Sequence, residues 1–214
     1  MSQLAMLAQS IGIAYAAGVN LYATVGLVGL LNRAGWIPPL PSSLEALSNP
    51  WVIGVALTLY AFEFLATLIP GVASAWETFH SLIRPPAAAG LAVLTAWHAD
   101  APIVFLAALL GGGVGLTTHA TKLGLRYAVD TSPEPVSNGA VNIAELGLVA
   151  SLSFALWNHP FLSLTVATLV LVLLILLVRK IWRALRRVFS GRWMPGCGLM
   201  QEPRSAPEWR TEEE

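Results

Sequence analysis

Residues 161–187 read FLSLTVATLVLVLLILLVRKIWRALRR. Phe161–Val178 is an unbroken apolar run, and five Lys/Arg follow at 179, 180, 183, 186 and 187. A helix needs ~20 mostly apolar residues to cross a bilayer. Basic residues crowd the cytoplasmic end of such helices. This stretch therefore reads as a membrane helix that enters the cytoplasm at Arg179, and its uniform Leu/Val content predicts a lipid-facing position.

The rest of the chain fits that reading. Of its 214 residues, 56% are hydrophobic and 11% charged, and the mean hydropathy is +0.66. Soluble domains carry roughly 25% charged residues, so there is too little polar surface to clothe a water-soluble globule. The formal net charge is zero, yet eight of the twelve Lys/Arg lie at or after Arg179. That basic end predicts contact with anionic membrane lipids through Arg179, Lys180, Arg183, Arg186 and Arg187. No aromatic–basic interleaving accompanies it, so nucleic acid is not expected as a partner. Cys197 is the only cysteine, which excludes an intrachain disulfide.

Six apolar stretches are spaced along residues 1–188: Leu4–Leu31, Trp51–Ile69, Ile83–Ala99, Pro102–Ala128, Ala140–Trp157 and Phe161–Val178. The fold class is all-α, a multi-pass transmembrane bundle of about six helices. Ala14-Tyr15-Ala16 resembles a signal cleavage site, but no basic region precedes it, so the first stretch is expected to be a retained span. Counting back from the cytoplasmic Arg179 places residues 130–139 and 71–84 inside and 32–50 outside. Met1 then lies inside, so both termini are cytoplasmic. The expected location is a bacterial inner membrane. Val72, Trp76, Phe79 and Ile83 recur on one helical face, which predicts an amphipathic helix over 71–84 lying in the inner interface. Residues 189–214 lack periodicity and read as a disordered cytoplasmic tail.

The first and fourth stretches share a pattern. Ala17-Gly18-Val19-Asn20-Leu21 can be set against Gly112-Gly113-Val114-Gly115-Leu116. Opposed three-helix halves, 4–99 and 102–187, would form an inverted repeat of the transporter kind. Gly18 and Gly111-Gly112-Gly113 would then be helix-break positions. Chance and simple helix packing explain the match equally well.

Charged side chains at membrane depth are costly, roughly 2.5–3.5 kcal/mol on insertion scales, so each needs a partner or a task. Glu63, His119 and Glu145 fall ~8–14 Å from the inner ends of their helices at ~1.5 Å per residue. Lys122 lies one turn beyond His119, and Asn20 is also deep. Two explanations are open: a structural ion pair that fixes helix register, and a substrate or ion pathway. A transporter or channel-like protein for a small solute or ion is the leading expectation. The alternatives are a structural or partner-binding membrane protein and a membrane-embedded lipid-handling enzyme, and a homo-oligomer is compatible with each of these readings. The four histidines are scattered without metal-ligand spacing, and no nucleophile or phosphate-binding motif occurs. No catalytic residue, metal or cofactor is assigned.

Three stretches carry a family resemblance: AGVNLYATVGLVGLL (17–31), EFLATLIPG with WETFHSLIRPPAAAG (63–90), and HATKLGLR, SPEP, SN and AE (119–145). In these the chain resembles a family of bacterial membrane proteins known as domain of unknown function 4126. Its members often carry an Asp-Lys pair before the Ile-Pro and an Asp soon after. Here Thr67, Leu68 and Ala73 stand at those positions, and an acidic residue is kept only at Glu77. The resemblance implies a bacterial inner-membrane location and supplies no activity.

Overall fold

The computed structural model describes residues 2–69, 71–130 and 135–189. Cys197 and the expected tail beyond residue 189 lie outside them, as does the side chain of Arg187. The described residues contain nine helical elements and no strand. They are α1 (Gln3–Val19), α2 (Leu21–Arg33), a 3₁₀ helix (Ser42–Ser48), α3 (Pro50–Ala66), α4 (Val72–His80), α5 (Arg84–Thr95), α6 (Ala101–Val129), α7 (Pro135–Asn158) and α8 (Pro160–Phe189). Proline stands in the first turn of α3, α5, α6, α7 and α8, where its missing N–H costs nothing and its fixed φ suits the helix. Residues up to Val178 form one compact unit. Beyond it α8 continues to Phe189, with the Arg186 guanidinium 5.8 Å from the centre of the Trp182 ring.

Among the described residues, three helices are long and apolar enough to cross a membrane: Ala101–Val129, Val136–Asn158 and Pro160–Arg183. The 3₁₀ helix and α3, bent by 64°, make a fourth if counted as one span. The six apolar stretches are therefore not six long helices. Leu4–Leu31 is divided between α1 and α2, and Ile83–Ala99 holds only the 12-residue α5.

The division of the first stretch is a reversal. Asn20 has extended backbone (φ −152°, ψ 107°) between the two helices. α1 runs parallel to α6: Ala14 packs on Gly111, Gly18 on Gly115, and the Val19 carbonyl meets Lys122. α2 then runs back antiparallel to α3, with Asn20 at Glu63, Gly26 at Leu57 and Gly29 at Ile53. Both outer ends of the hairpin reach the same end of the bundle. There the Asp100 N–H donates to Gln3 Oε1 (3.2 Å), Ser43 Oγ donates to the Leu94 carbonyl (2.5 Å), and Asn158 Nδ2 donates to the Trp36 carbonyl (3.4 Å). We call this the near end. The far end holds Asp130, whose carboxylate accepts from the N–H groups of Gly71 and Ser74, both at 3.1 Å.

Three expectations change. An inverted repeat requires the first and fourth stretches to point oppositely, and α1 and α6 point the same way. The break falls at Asn20, two residues past Gly18, and α6 is unbroken through Gly111-Gly112-Gly113. Gly111 and Gly115 serve packing: a Cβ on either would come within 2.4 Å of the Cβ of Ala92 or Ala88, so the alanine methyls of α5 seat directly on α6. Finally, residues 71–84 do not form a separate interfacial helix. α4 and α5 together line α6 antiparallel, with Ser74 at Asp130, Thr78 at Tyr127, Ser81 at His119 and Ala92 at Gly111. The apolar residues Val72 and Phe79 face outward, while Ser74, Glu77 and His80 are buried. The helix is inside-out relative to one in water.

Candidate functional site: a buried ion network at the hairpin tip

Asn20 is both the break and its cap. Its Oδ1 accepts from the Ala23 N–H (2.9 Å), which starts α2 as a side-chain cap does. Its Nδ2 donates to Glu63 Oε1 (2.8 Å). From Glu63 a network of six charged groups spreads over five helices. Arg84 on α5 holds Glu63 of α3 (2.5 Å) and Glu77 of α4. Lys122 on α6 reaches Glu63 (3.2 Å), Glu77 (2.9 Å) and Glu145 of α7 (2.9 Å). Arg126 holds Glu145 from the other side (3.0 Å). No side chain among these six is more than 12% exposed.

Three carboxylates face three cations, so the cluster is formally neutral. Desolvating a lone charge costs several kcal/mol, and mutual attraction offsets this only when geometry and further hydrogen bonds are good. Some of those bonds are present, while Glu63 Oε2, Arg84 Nε and Arg126 Nε are buried with no hydrogen-bond partner among the described residues, and Glu77 Oε1 has only its ion pair with Lys122. Asn142 accepts from Arg126 and donates to the Phe64 carbonyl (3.2 Å). The Lys122 ammonium donates to the Val19 carbonyl (2.8 Å), one of the carbonyls a helix end leaves without an intrahelical partner. His119 closes one edge, with Nε2 2.9 Å from Ser81 Oγ and Nδ1 3.8 Å from Glu77. A second histidine lies beside the hairpin. His80 Nδ1 is 2.8 Å from the Trp76 carbonyl, so that nitrogen carries the proton, and Nε2 is left to accept from the Tyr22 hydroxyl (3.2 Å).

A cavity of about 170 Å³ adjoins the cluster between α6, α7 and α8. Its lining is almost entirely apolar, with Leu148 and Leu171 among its walls, although Lys122, Glu145, Thr118 and Thr121 border it. Thr121 donates to its i−4 carbonyl (2.8 Å), whereas the Thr118 hydroxyl is buried without a hydrogen-bond partner among the described residues. A larger groove of about 600 Å³, wholly apolar in character, runs between α2, α3 and α5 past Trp51 and Leu91.

The structure thus brings Asn20, Glu63, His119, Lys122 and Glu145 into one network. The cavity reaches Lys122 and Glu145; Glu63 and His119 do not line it. The sequence reading missed Glu77, Arg84 and Arg126. Glu77 and Arg84 lie off the apolar Val72–Ile83 face, and periodicity alone does not say that their side of the helix is buried. One signal was available: only four Lys/Arg precede Arg179, and three of them are in this cluster.

A family model described as domain of unknown function (DUF4126) matches residues 7–180. The chain belongs to that family. The match takes in every residue of the network. No curated protein and no solved structure matches the chain. DUF4126 membership carries no stated activity, so the chemistry must be argued from the site.

Proposed function

We propose that this DUF4126 protein is a multi-pass transporter or channel-like protein of a bacterial inner membrane, moving a small solute or ion past the buried network. One observation carries the reading: α1 and α2 both end at Asn20, inside the bundle and against the charges. Non-helical backbone at membrane depth persists only where it is buried in protein or lines a water-filled cavity. Secondary transporters use such interrupted helices to present carbonyl and amide ends to substrate and coupling ions. Here the carbonyl end of α1 and the capped start of α2 meet the same Glu63–Lys122 pair.

The membrane placement that fits has five crossings, α3, α4–α5, α6, α7 and α8, with α1–α2 as a re-entrant hairpin. Large apolar side chains lie exposed on all five, including Phe62, Phe79, Phe105, Leu109, Ile143 and Leu169, and a bilayer would cover them. With the far end cytoplasmic, Asp130 and the start of the basic segment are inside, and the near end is outside. The N-terminus is then outside, which replaces the expectation of two cytoplasmic termini.

The completeness of the ion pairing favours a second reading, in which the network only fixes helix register. Flux separates the two. Protein is placed in liposomes holding a pH-sensitive dye, and a potassium–valinomycin potential is imposed. Transport predicts a proton or solute-linked signal that grows with protein density. It should vanish in the charge-balanced Glu145→Gln, Lys122→Met double variant, which keeps two carboxylates against two guanidiniums and whose melting is measured alongside. Rates equal to those of empty liposomes, with and without a panel of small amines, carboxylates and sugars, would leave the structural reading.

A further inference from the structure

The position of Lys122 is unlike that of the other two cations in the network. Arg84 and Arg126 present guanidinium forks to carboxylates and amides. Lys122 places a compact point charge against four oxygens from four elements: Val19 O of α1 (2.8 Å), Glu63 of α3 (3.2 Å), Glu77 of α4 (2.9 Å) and Glu145 of α7 (2.9 Å). An ammonium has three protons to donate, so four oxygens at these distances surround it as they would a spherical ion. One of the four belongs to the carboxyl end of a half-helix, where the helix dipole is negative. In broken-helix transporters that is a place where coupling cations bind.

Charge sets the valence. Without Lys122, the carboxylates of Glu63, Glu77 and Glu145 face only Arg84 and Arg126, since His119 can remain neutral and α8 offers only apolar side chains to the adjoining cavity. Three negative charges against two positive leave a deficit of one. We infer that this is a monovalent-cation site filled by the chain's own Lys122 ammonium, so that the protein works without bound sodium or potassium. The adjoining cavity borders Lys122 and Glu145 beside the unpartnered Thr118 hydroxyl, so shortening the Lys122 side chain joins its volume to the carboxylates. The consequence for coupling rests on the transport reading, but occupancy of the site does not.

The test is therefore stability, not flux. Wild type and Lys122→Ala are melted in detergent at constant ionic strength, with chloride salts of choline, sodium, potassium or methylammonium. Wild type should melt identically in all four. Lys122→Ala should melt lower in choline and recover saturably with methylammonium or sodium. The recovery should be about 5 °C or more at a hundred times the half-saturating concentration. Equal melting of the variant in choline and in every other salt would overturn the inference. So would saturable stabilisation of the wild type by sodium or potassium, which would reveal a separate metal-cation site. The wild-type arm stands whatever the yield of the variant. Absence of flux in liposomes would defeat the transport reading while leaving this result intact.

Discussion

The ammonium of Lys122 lies 2.8 Å from the carbonyl oxygen of Val19, the last residue of α1. One side chain thus both neutralises a carboxylate cluster and satisfies a broken helix end. The first prediction follows from this double task. Lys122→Met strands three carboxylates against two guanidiniums and should destabilise the protein by about 3–5 kcal/mol. Adding Glu145→Leu restores two against two, and the double variant should be the more stable of the pair. Melting curves in detergent check the order. A double variant less stable than Lys122→Met would contradict the charge balance argued here.

Asn20 can be probed at both ends of its side chain. Asn20→Ala removes a helix cap, worth about 1 kcal/mol, and a hydrogen bond to a charged group, worth about 1.5–3 kcal/mol. Asn20→Asp keeps the cap but sets a fourth carboxylate where an amide now donates to Glu63 at 2.8 Å. The aspartate should be the more damaging change despite its closer shape. If Asn20→Asp is as stable as wild type at neutral pH, the Glu63 contact does not hold the hairpin tip.

The glycines of α6 should divide sharply. Gly115→Ala puts a methyl 2.4 Å from the Ala88 Cβ and should cost about 1–3 kcal/mol through overpacking. A methyl on Gly113 meets nothing within 4 Å, and Gly113→Ala should be neutral or slightly stabilising, because alanine is the better helix former. Comparable losses at both positions would argue against the close α5–α6 contact.

The basic end of α8 should act through lipid. Replacing Arg183, Arg186 and Arg187 by Gln is expected to lower melting temperature in nanodiscs rich in anionic lipid and to leave it unchanged in zwitterionic ones. A loss of equal size in both would mean that these residues serve folding instead.

Much of this was legible in the sequence because membrane helices announce themselves by composition. The apolar stretches, the helical class and the deep polar residues Asn20, Glu63, His119, Lys122 and Glu145 could all be read from a window of residues. The reversal at Asn20 could not. Residues on either side of it are equally apolar, so a straight helix and a hairpin have the same local signature. What decides between them is the partners of Asn20 and Val19, namely Glu63 and Lys122, 43 and 103 residues away. The direction of α4 was hidden for a related reason. Spacing gives the polar face of a helix but not whether that face meets water or protein. In this molecule it meets Lys122 and Arg84, and Glu77 and Arg84 enter the site through it.

The central claim is that the chain turns back at Asn20, so that residues before α1 and after α2 lie on one side of the membrane. It is tested by membrane-impermeant thiol labelling of single cysteines in a Cys197→Ser background. Ser2→Cys, Pro39→Cys in the connection after α2, and Ser132→Cys between α6 and α7 are labelled from each side of sealed vesicles. The account predicts that Ser2→Cys and Pro39→Cys react from the same side and Ser132→Cys from the other. Ser2→Cys reacting together with Ser132→Cys, opposite to Pro39→Cys, would mean a first segment that runs straight through and would contradict the hairpin on which the site is built.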